Sequence, residues 1–271
     1  MYTPKTIAFL KSLGFWLLFM VLLIAVGKLF NPLFPPVWEQ FVYGTGGTLA
    51  AFALCWLFIS REKKSVRDYE LYWQSSTIWH FLQGIIIGAA IFAFIILAMV
   101  LLGGLSISRS GNWDPASAFW LLSIFPLALM EEVAFRSYPF IKLSRAFGLP
   151  LTQVIVALAF ALYHISMGWD ITVALLGPGI WALVFGLGAA WSKGIALPTG
   201  IHVALNISQQ ITSLKGTTQG TVFELAEDPS TALLPADTVG IIGQILIGVV
   251  AIILTIRYTL KMGKRNSAYG D

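Results

Sequence analysis

The chain has 271 residues, of which 57% are hydrophobic and 11% charged, with a mean hydropathy of +0.80; this excludes a water-soluble domain and marks a polytopic membrane protein. The net charge of +4 does not point to nucleic acid, because the basic residues are scattered between apolar runs and form no aromatic-interleaved patch. The single cysteine, Cys55, sits in an apolar run, which excludes an intramolecular disulfide and a two-cysteine metal clip and leaves a packing role.

Apolar intervals of about 20 residues between charges give about eight spans, at roughly 8–29, 40–60, 80–102, 118–141, 151–168, 171–191, 195–213 and 239–260. The first follows Lys5 and Lys11 as a signal peptide would. No small-x-small cleavage site follows it, however, and Lys28-Leu29-Phe30-Asn31-Pro32 reads as an interfacial end, so an uncleaved helix is expected. Between the second and third spans, residues 61–80 mix charges with Tyr69, Tyr72, Trp73 and Trp79, the composition of an interfacial connector, and His80 goes with it. Gly84 and Gly88 in the third span have the small-xxx-small spacing that lets helix backbones approach. In the sixth, Gly177-Pro178-Gly179 predicts a kink or a late helix start, since proline removes a backbone donor. No internal repeat is visible. The expected architecture is an all-α transmembrane helical bundle forming one integral membrane domain over 1–271, with a catalytic core at about 118–213.

The connections alternate in charge. Arg61, Lys63, Lys64 and Arg67, then Lys142 and Arg145, then Lys193, then Lys261, Lys264 and Arg265 fall on one side. The other side carries Lys28, Arg109 and Lys215 against Glu39, Asp114, Asp170, Glu224, Glu227, Asp228 and Asp237. The positive-inside rule makes the first side cytoplasmic, and an even number of spans puts both termini there.

Within the fourth span, Glu131-Glu132-Val133-Ala134-Phe135-Arg136 sets two adjacent carboxylates in an apolar run. An ionised side chain at a bilayer centre costs about 2.5–3.5 kcal/mol on insertion scales, so such residues usually face a polar cavity and mark function. Glu132 and Arg136, at i and i+4, can pair across one turn, which leaves Glu131 to be explained. Two histidines also lie inside spans: His164, four residues after Phe160, and His202, four before Asn206 and on the same helix face. At about 1.5 Å per residue, Glu131, His164 and His202 lie at loosely similar depths. A carboxylate, two imidazoles and an amide in one wet pocket would make a hydrolytic centre.

In this order on successive spans, Glu131-Glu-Val-Ala-Phe-Arg136, Phe160-Ala-Leu-Tyr-His164 and His202-Val-Ala-Leu-Asn206 resemble the EExxxR, FxxxH and HxxxN motifs of the CAAX prenyl protease and bacteriocin-processing (CPBP, or Abi) family of intramembrane proteases. The resemblance covers roughly half of the chain, from the fourth span to the seventh. It implies that Glu131 is the general base toward water and that His164 helps to hold that water. His202 and Asn206 would face the oxyanion, with Glu132 and Arg136 in support. Arg136 could also attract a substrate's C-terminal carboxylate, which guanidinium matches bidentately.

The implied substrate is a peptide or protein bound to the lipid bilayer, with no nucleic-acid partner. No cofactor is required by a glutamate-activated water. Glu131, His164 and His202 are also a two-His, one-Glu set like that of catalytic zinc sites, so zinc stays open as a second mechanism. Two other classes are weighed beside the protease. A proton-coupled transporter would also place Glu and His inside the membrane, but would be favoured by inverted repeats or paired broken helices, and only one break is found. A non-catalytic peptide-toxin immunity protein is disfavoured because every side chain of the three motifs is retained.

Overall fold

The structure, a computed structural model, describes residues 3–110, 115–214 and 220–268. It begins with two long helices, α1 (Pro4–Phe30) and α2 (Pro36–Arg61), each with proline in its first turn, where the missing N–H costs nothing. The packed face of α1 carries Phe15, Phe19 and Leu23, all fully buried, and its Trp16 indole N–H donates to the Ala134 carbonyl at 3.2 Å. α3 (Thr77–Gly103) follows, then strand β1 (Leu105–Arg109) and α4 (Pro115–Arg136). α5 (Tyr138–Phe147) and α6 (Leu149–Ser166) come next. α7 (Ile171–Ala174) runs through a π turn, Leu175–Gly179, into α8 (Ile180–Ser192). The chain closes with α9 (Ala196–Ile211), strand β2 (Phe223–Glu227) and α10 (Ala236–Ala268).

The helical bundle agrees with the sequence reading, with two differences in the spans, a break in the fourth and a short seventh. The fourth span is broken at Ser137, because Pro139 has no N–H to donate to the Phe135 carbonyl and is tolerated only in the first turn of a new helix. The kink expected at Gly177-Pro178-Gly179 is the π turn, with Pro178 inside it. Among the described residues, seven helical segments are long and apolar enough to cross a membrane, and the expected seventh span is not among them, since α9 has 16 residues.

The chain nevertheless changes sides there. α9 runs parallel to α3, with Gly84 against Leu197 and Gly200, and Gly88 against Ile201 and Ala204. A Cβ on Gly84 would stand 2.2 Å from the Leu197 carbonyl oxygen, and one on Gly200 2.1 Å from that of Phe81, so the expected close approach is real and requires glycine on both helices. At the far end, β1 and β2 pair antiparallel from Leu105↔Glu227 to Arg109↔Phe223, and Gly103 packs on Ala236 at the start of α10. This two-stranded ribbon caps the end of the bundle where α3 stops and α10 begins. It has no counterpart in the sequence reading. Asp114 and Lys215, assigned to the same side, lie outside the described residues.

The opposite end gathers the basic connections around one acid. Glu62, just past α2, accepts from Lys11 Nζ at 2.8 Å, Tyr69 Oη at 2.6 Å, Tyr138 Oη at 2.8 Å and Lys142 Nζ at 2.7 Å. One carboxylate thereby ties α1, the connector after α2, and α5. Burial alone would raise the Glu62 carboxyl, but the bonds from the two lysines and two tyrosines bring it down from 4.5 to about 2. A depressed carboxylate stabilises the fold above its unfolded value and loses that contribution as pH falls through the folded one. Glu62→Gln is therefore expected to unfold more easily than the parent near neutrality, with the gap closing as the pH drops from about 5 to about 2. Thermal unfolding of both proteins across that range checks it; a gap independent of pH would refute the ionic account.

Candidate active site

Glu131 and Glu132 lie in the last two turns of α4, past Pro126, where the helix is packed on α2 closely enough that a Cβ on Gly44 would meet the Leu127 nitrogen at 2.8 Å. Consecutive helix positions point about 100° apart, so the two carboxylates enter different surroundings. Glu132 is sealed, its side chain 0% exposed, while that of Glu131 keeps 14%.

His202, on α9, joins them. Its Nδ1–H donates to Glu132 Oε1 at 2.8 Å, which turns Nε2 toward Glu131 Oε2, 3.6 Å away. The ring is stacked on Phe185 of α8, centroids 4.5 Å apart and planes at 16°. A carboxylate behind the imidazole and an aromatic face beneath it hold the ring in one orientation. The other oxygen of Glu132 lies 3.4 Å from Arg136 Nε, so the i, i+4 pair expected from the sequence is formed. The Glu132 bond to His202 was not foreseen.

Arg136 is buried, 2% exposed, and none of its guanidinium nitrogens has a hydrogen-bond partner among the described residues. It stands instead among aromatic rings: the guanidinium carbon is 4.4 Å from the Phe160 centroid, 5.2 Å from Phe185 and 5.9 Å from Phe135. A desolvated cation over ring faces gains about 2 kcal/mol or more, which together with Glu132 accounts for a charge in this position. The enclosure corrects one expectation, since a guanidinium closed off in this way is not displayed to a substrate's C-terminal carboxylate.

His164 ends α6. Its Nδ1–H donates to the Phe160 carbonyl of the preceding turn at 2.9 Å, which leaves Nε2 as the acceptor nitrogen, and Trp169 and Phe160 lie edge-on to the ring at 5.0 and 4.7 Å. Phe160 joins the two motif helices to the site, with its centroid 6.3 Å from His202 as well. Tyr163, next to His164, brings its hydroxyl within hydrogen-bonding reach of Glu131. Asn206 stands one turn beyond His202 on α9 and is half-buried. The structure thus brings Glu131, Glu132, Arg136 and His202 into direct contact and sets His164 beside them through Phe160 and Tyr163. Sequence reasoning missed Tyr163, whose only signal is a hydroxyl next to a motif histidine, and Phe185, which carries no signal of its own.

The residues do not fit a metal centre. Glu131 Oε2 and His202 Nε2 are spaced as two ligands of one tetrahedral zinc could be. Among the described residues, however, no group of three or more His, Cys, Asp or Glu is arranged to hold an ion, so His164 does not complete the expected set.

What the arrangement offers is one partly open carboxylate beside a fixed imidazole, backed by a sealed carboxylate and a caged guanidinium. Residues 112–208 match the family described as Type II CAAX prenyl endopeptidase Rce1-like, and no curated protein matches the chain. The matched segment runs from just ahead of α4 into α9 and contains all seven motif residues, with α1 to α3 and α10 outside it.

Proposed function

We propose, from the premise that residues 112–208 match the Rce1-like CAAX endopeptidase family, that the chain is a membrane protease and cleaves a peptide bond of a membrane-associated substrate with water activated by Glu131. The observation that carries the assignment is the asymmetry of the acid pair. Glu131 is the carboxylate with access and faces His202 Nε2, whereas both oxygens of Glu132 are turned into the protein. A general base must reach the proton that it abstracts, and Glu131 alone of the two can.

In this reading Glu131 takes a proton from water as the water oxygen bonds to the substrate carbonyl carbon. The carbonyl π pair moves onto its oxygen, and the tetrahedral oxyanion is met by the Asn206 amide, beside His202. A preorganised donor of this kind is worth about 2.7–4 kcal/mol. Collapse breaks the C–N bond, and the proton held by Glu131 passes to the leaving amine. Glu132 holds the His202 ring through Nδ1, Arg136 neutralises Glu132, and His164 and Tyr163 orient the water and Glu131. The domain proposed for this chemistry is the whole chain, with the catalytic residues confined to α4, α6 and α9.

The test compares membranes carrying the native chain with membranes carrying Glu131→Gln. New peptide termini are expected in the first and not in the second, and are expected to persist after a strong chelator wash. Identical peptide sets would refute the protease assignment; loss on chelation with return on stoichiometric zinc would refute the metal-free mechanism.

The basic end of the bundle, around Glu62, is proposed to face the cytoplasm by the positive-inside rule. Reporter fusions after Lys64 and after Lys142 are expected to report cytoplasm and one near Thr218, outside the described residues, the other side. The reverse pattern would overturn the orientation.

A further inference from the structure

A cavity of about 520 Å³ lies beside the catalytic cluster, and none of Glu131, Glu132, His164, His202 or Asn206 lines it. Its volume is that of a small-molecule or lipid site. The inner wall is apolar, made by Phe52 of α2, Phe125 and Leu129 of α4, and Ile78 and Phe81 at the start of α3. Phe52 lies nine residues before the end of α2, about 14 Å into the bundle. The other end is polar and sits at the basic end of the bundle, where Glu70 and Gln74 face Ser192 and Gly194. The space is therefore long and amphiphilic, with its polar mouth beside Tyr72 and Trp73, residue types that mark the headgroup level. On the side of the bilayer it is flanked by Ile78, Phe125 and Phe52, which are 59%, 42% and 38% exposed.

The mouth carries both signs of charge. Glu70 is the acidic residue on the wall, and Lys193 Nζ stands 3.7 Å from its Oε1. Gln74 Nε2 donates to the Lys193 carbonyl at 3.0 Å, closing the connector over the α8–α9 turn. Burial holds the Glu70 carboxyl above its ordinary value, with Lys193 and Arg145 acting the other way.

We propose that this cavity binds one zwitterionic phospholipid of the surrounding bilayer, with an acyl chain along Phe52, Phe81, Phe125 and Leu129, its ammonium on Glu70 and its phosphate toward Lys193. A phospholipid has the required shape, apolar at depth and charged at the interface, and its two headgroup charges match the two at the mouth. A net-anionic headgroup would set its phosphate against Glu70 with no ammonium in compensation. The site is separate from the catalytic residues, although Leu129 and Thr199, three positions before Glu132 and His202 respectively, are shared walls.

The test titrates the detergent-purified full chain with phosphatidylethanolamine and phosphatidylglycerol of identical acyl chains and reads the adducts by native mass spectrometry. One phosphatidylethanolamine should be retained with about two- to fivefold preference, the range of one partly exposed charge contact. Glu70→Gln should abolish the preference. Ala196→Phe and, independently, Ile78→Trp, both filling the cavity, should lose the lipid while leaving the thermal unfolding transition cooperative. Equal binding of the two lipids by the native chain, or a preference that survives Glu70→Gln, would overturn the proposal. So would lipid retained by both filled variants with a raised KM for substrate, which would give the cavity to the substrate instead. The binding measurement needs no turnover, so its failure is distinct from failure of the protease assignment.

Discussion

Glu131→Gln is expected to lower turnover by about 10²–10⁴-fold, the range of a lost general base, and to leave folding intact. The amide keeps the shape of the carboxylate and can still accept from Tyr163, but it takes no proton from water. Stability should hold because the Glu131 side chain is 14% exposed and lies 3.6 Å from His202 Nε2, too far for a hydrogen bond. The buried Arg136 keeps Glu132, its nearer carboxylate. Steady-state kinetics with thermal unfolding of the same preparation reads both quantities. Near-native turnover would remove Glu131 from the role of base.

Glu132→Gln should fail for a different reason. It removes the negative charge beside a guanidinium with no hydrogen-bond partner among the described residues, and uncompensated buried charges of this kind cost about 3–5 kcal/mol. Thermal stability and yield should therefore fall with activity, and the His202 ring loses the carboxylate that holds its Nδ1. Adding Arg136→Met to Glu132→Gln should recover part of the stability, since the stranded cation is gone and a flexible apolar side chain fits between Phe160 and Phe185. Activity should stay low, because the His202 ring remains without its acid. A Glu132→Gln protein that is inactive but as stable as the parent would contradict this, and would make Glu132 the base.

Much of this was legible in the chain. The alternation of apolar runs and basic connections reports the path across the membrane, because lipid enforces those rules locally. The i, i+4 spacing of Glu132 and Arg136 reports their pairing, because a helix turn sets it. What the chain hid depends on distant partners. Glu62 reads as one more interfacial acid, and only the fold brings Lys11, Tyr138 and Lys142 to it. The bond from His202 to Glu132 rather than to Glu131 alone depends on the rotation of α4 relative to α9, which spacing does not specify. The ribbon of β1 and β2 joins two short polar stretches more than 100 positions apart, with no hairpin turn between them to announce it. α9 reads as a full span because its residues are apolar, yet Leu197 to Leu205 are buried all round, against protein rather than lipid.

That last feature bears on how the two sides of the site are held. α3 has 27 residues, about 40 Å of helix against a hydrocarbon layer of about 30 Å, a mismatch that long helices take up by tilting. α9 meets little lipid and has no tilt of its own to adjust. Through Gly84, Gly88 and Gly200 its backbone is locked to that of α3, whereas Glu131 rides on α4, which is packed on α2. The carboxylate and the imidazole are thus carried by different helix pairs, α4 on α2 and α9 on α3, and the bond from His202 to Glu132 is the tie that sets one pair against the other.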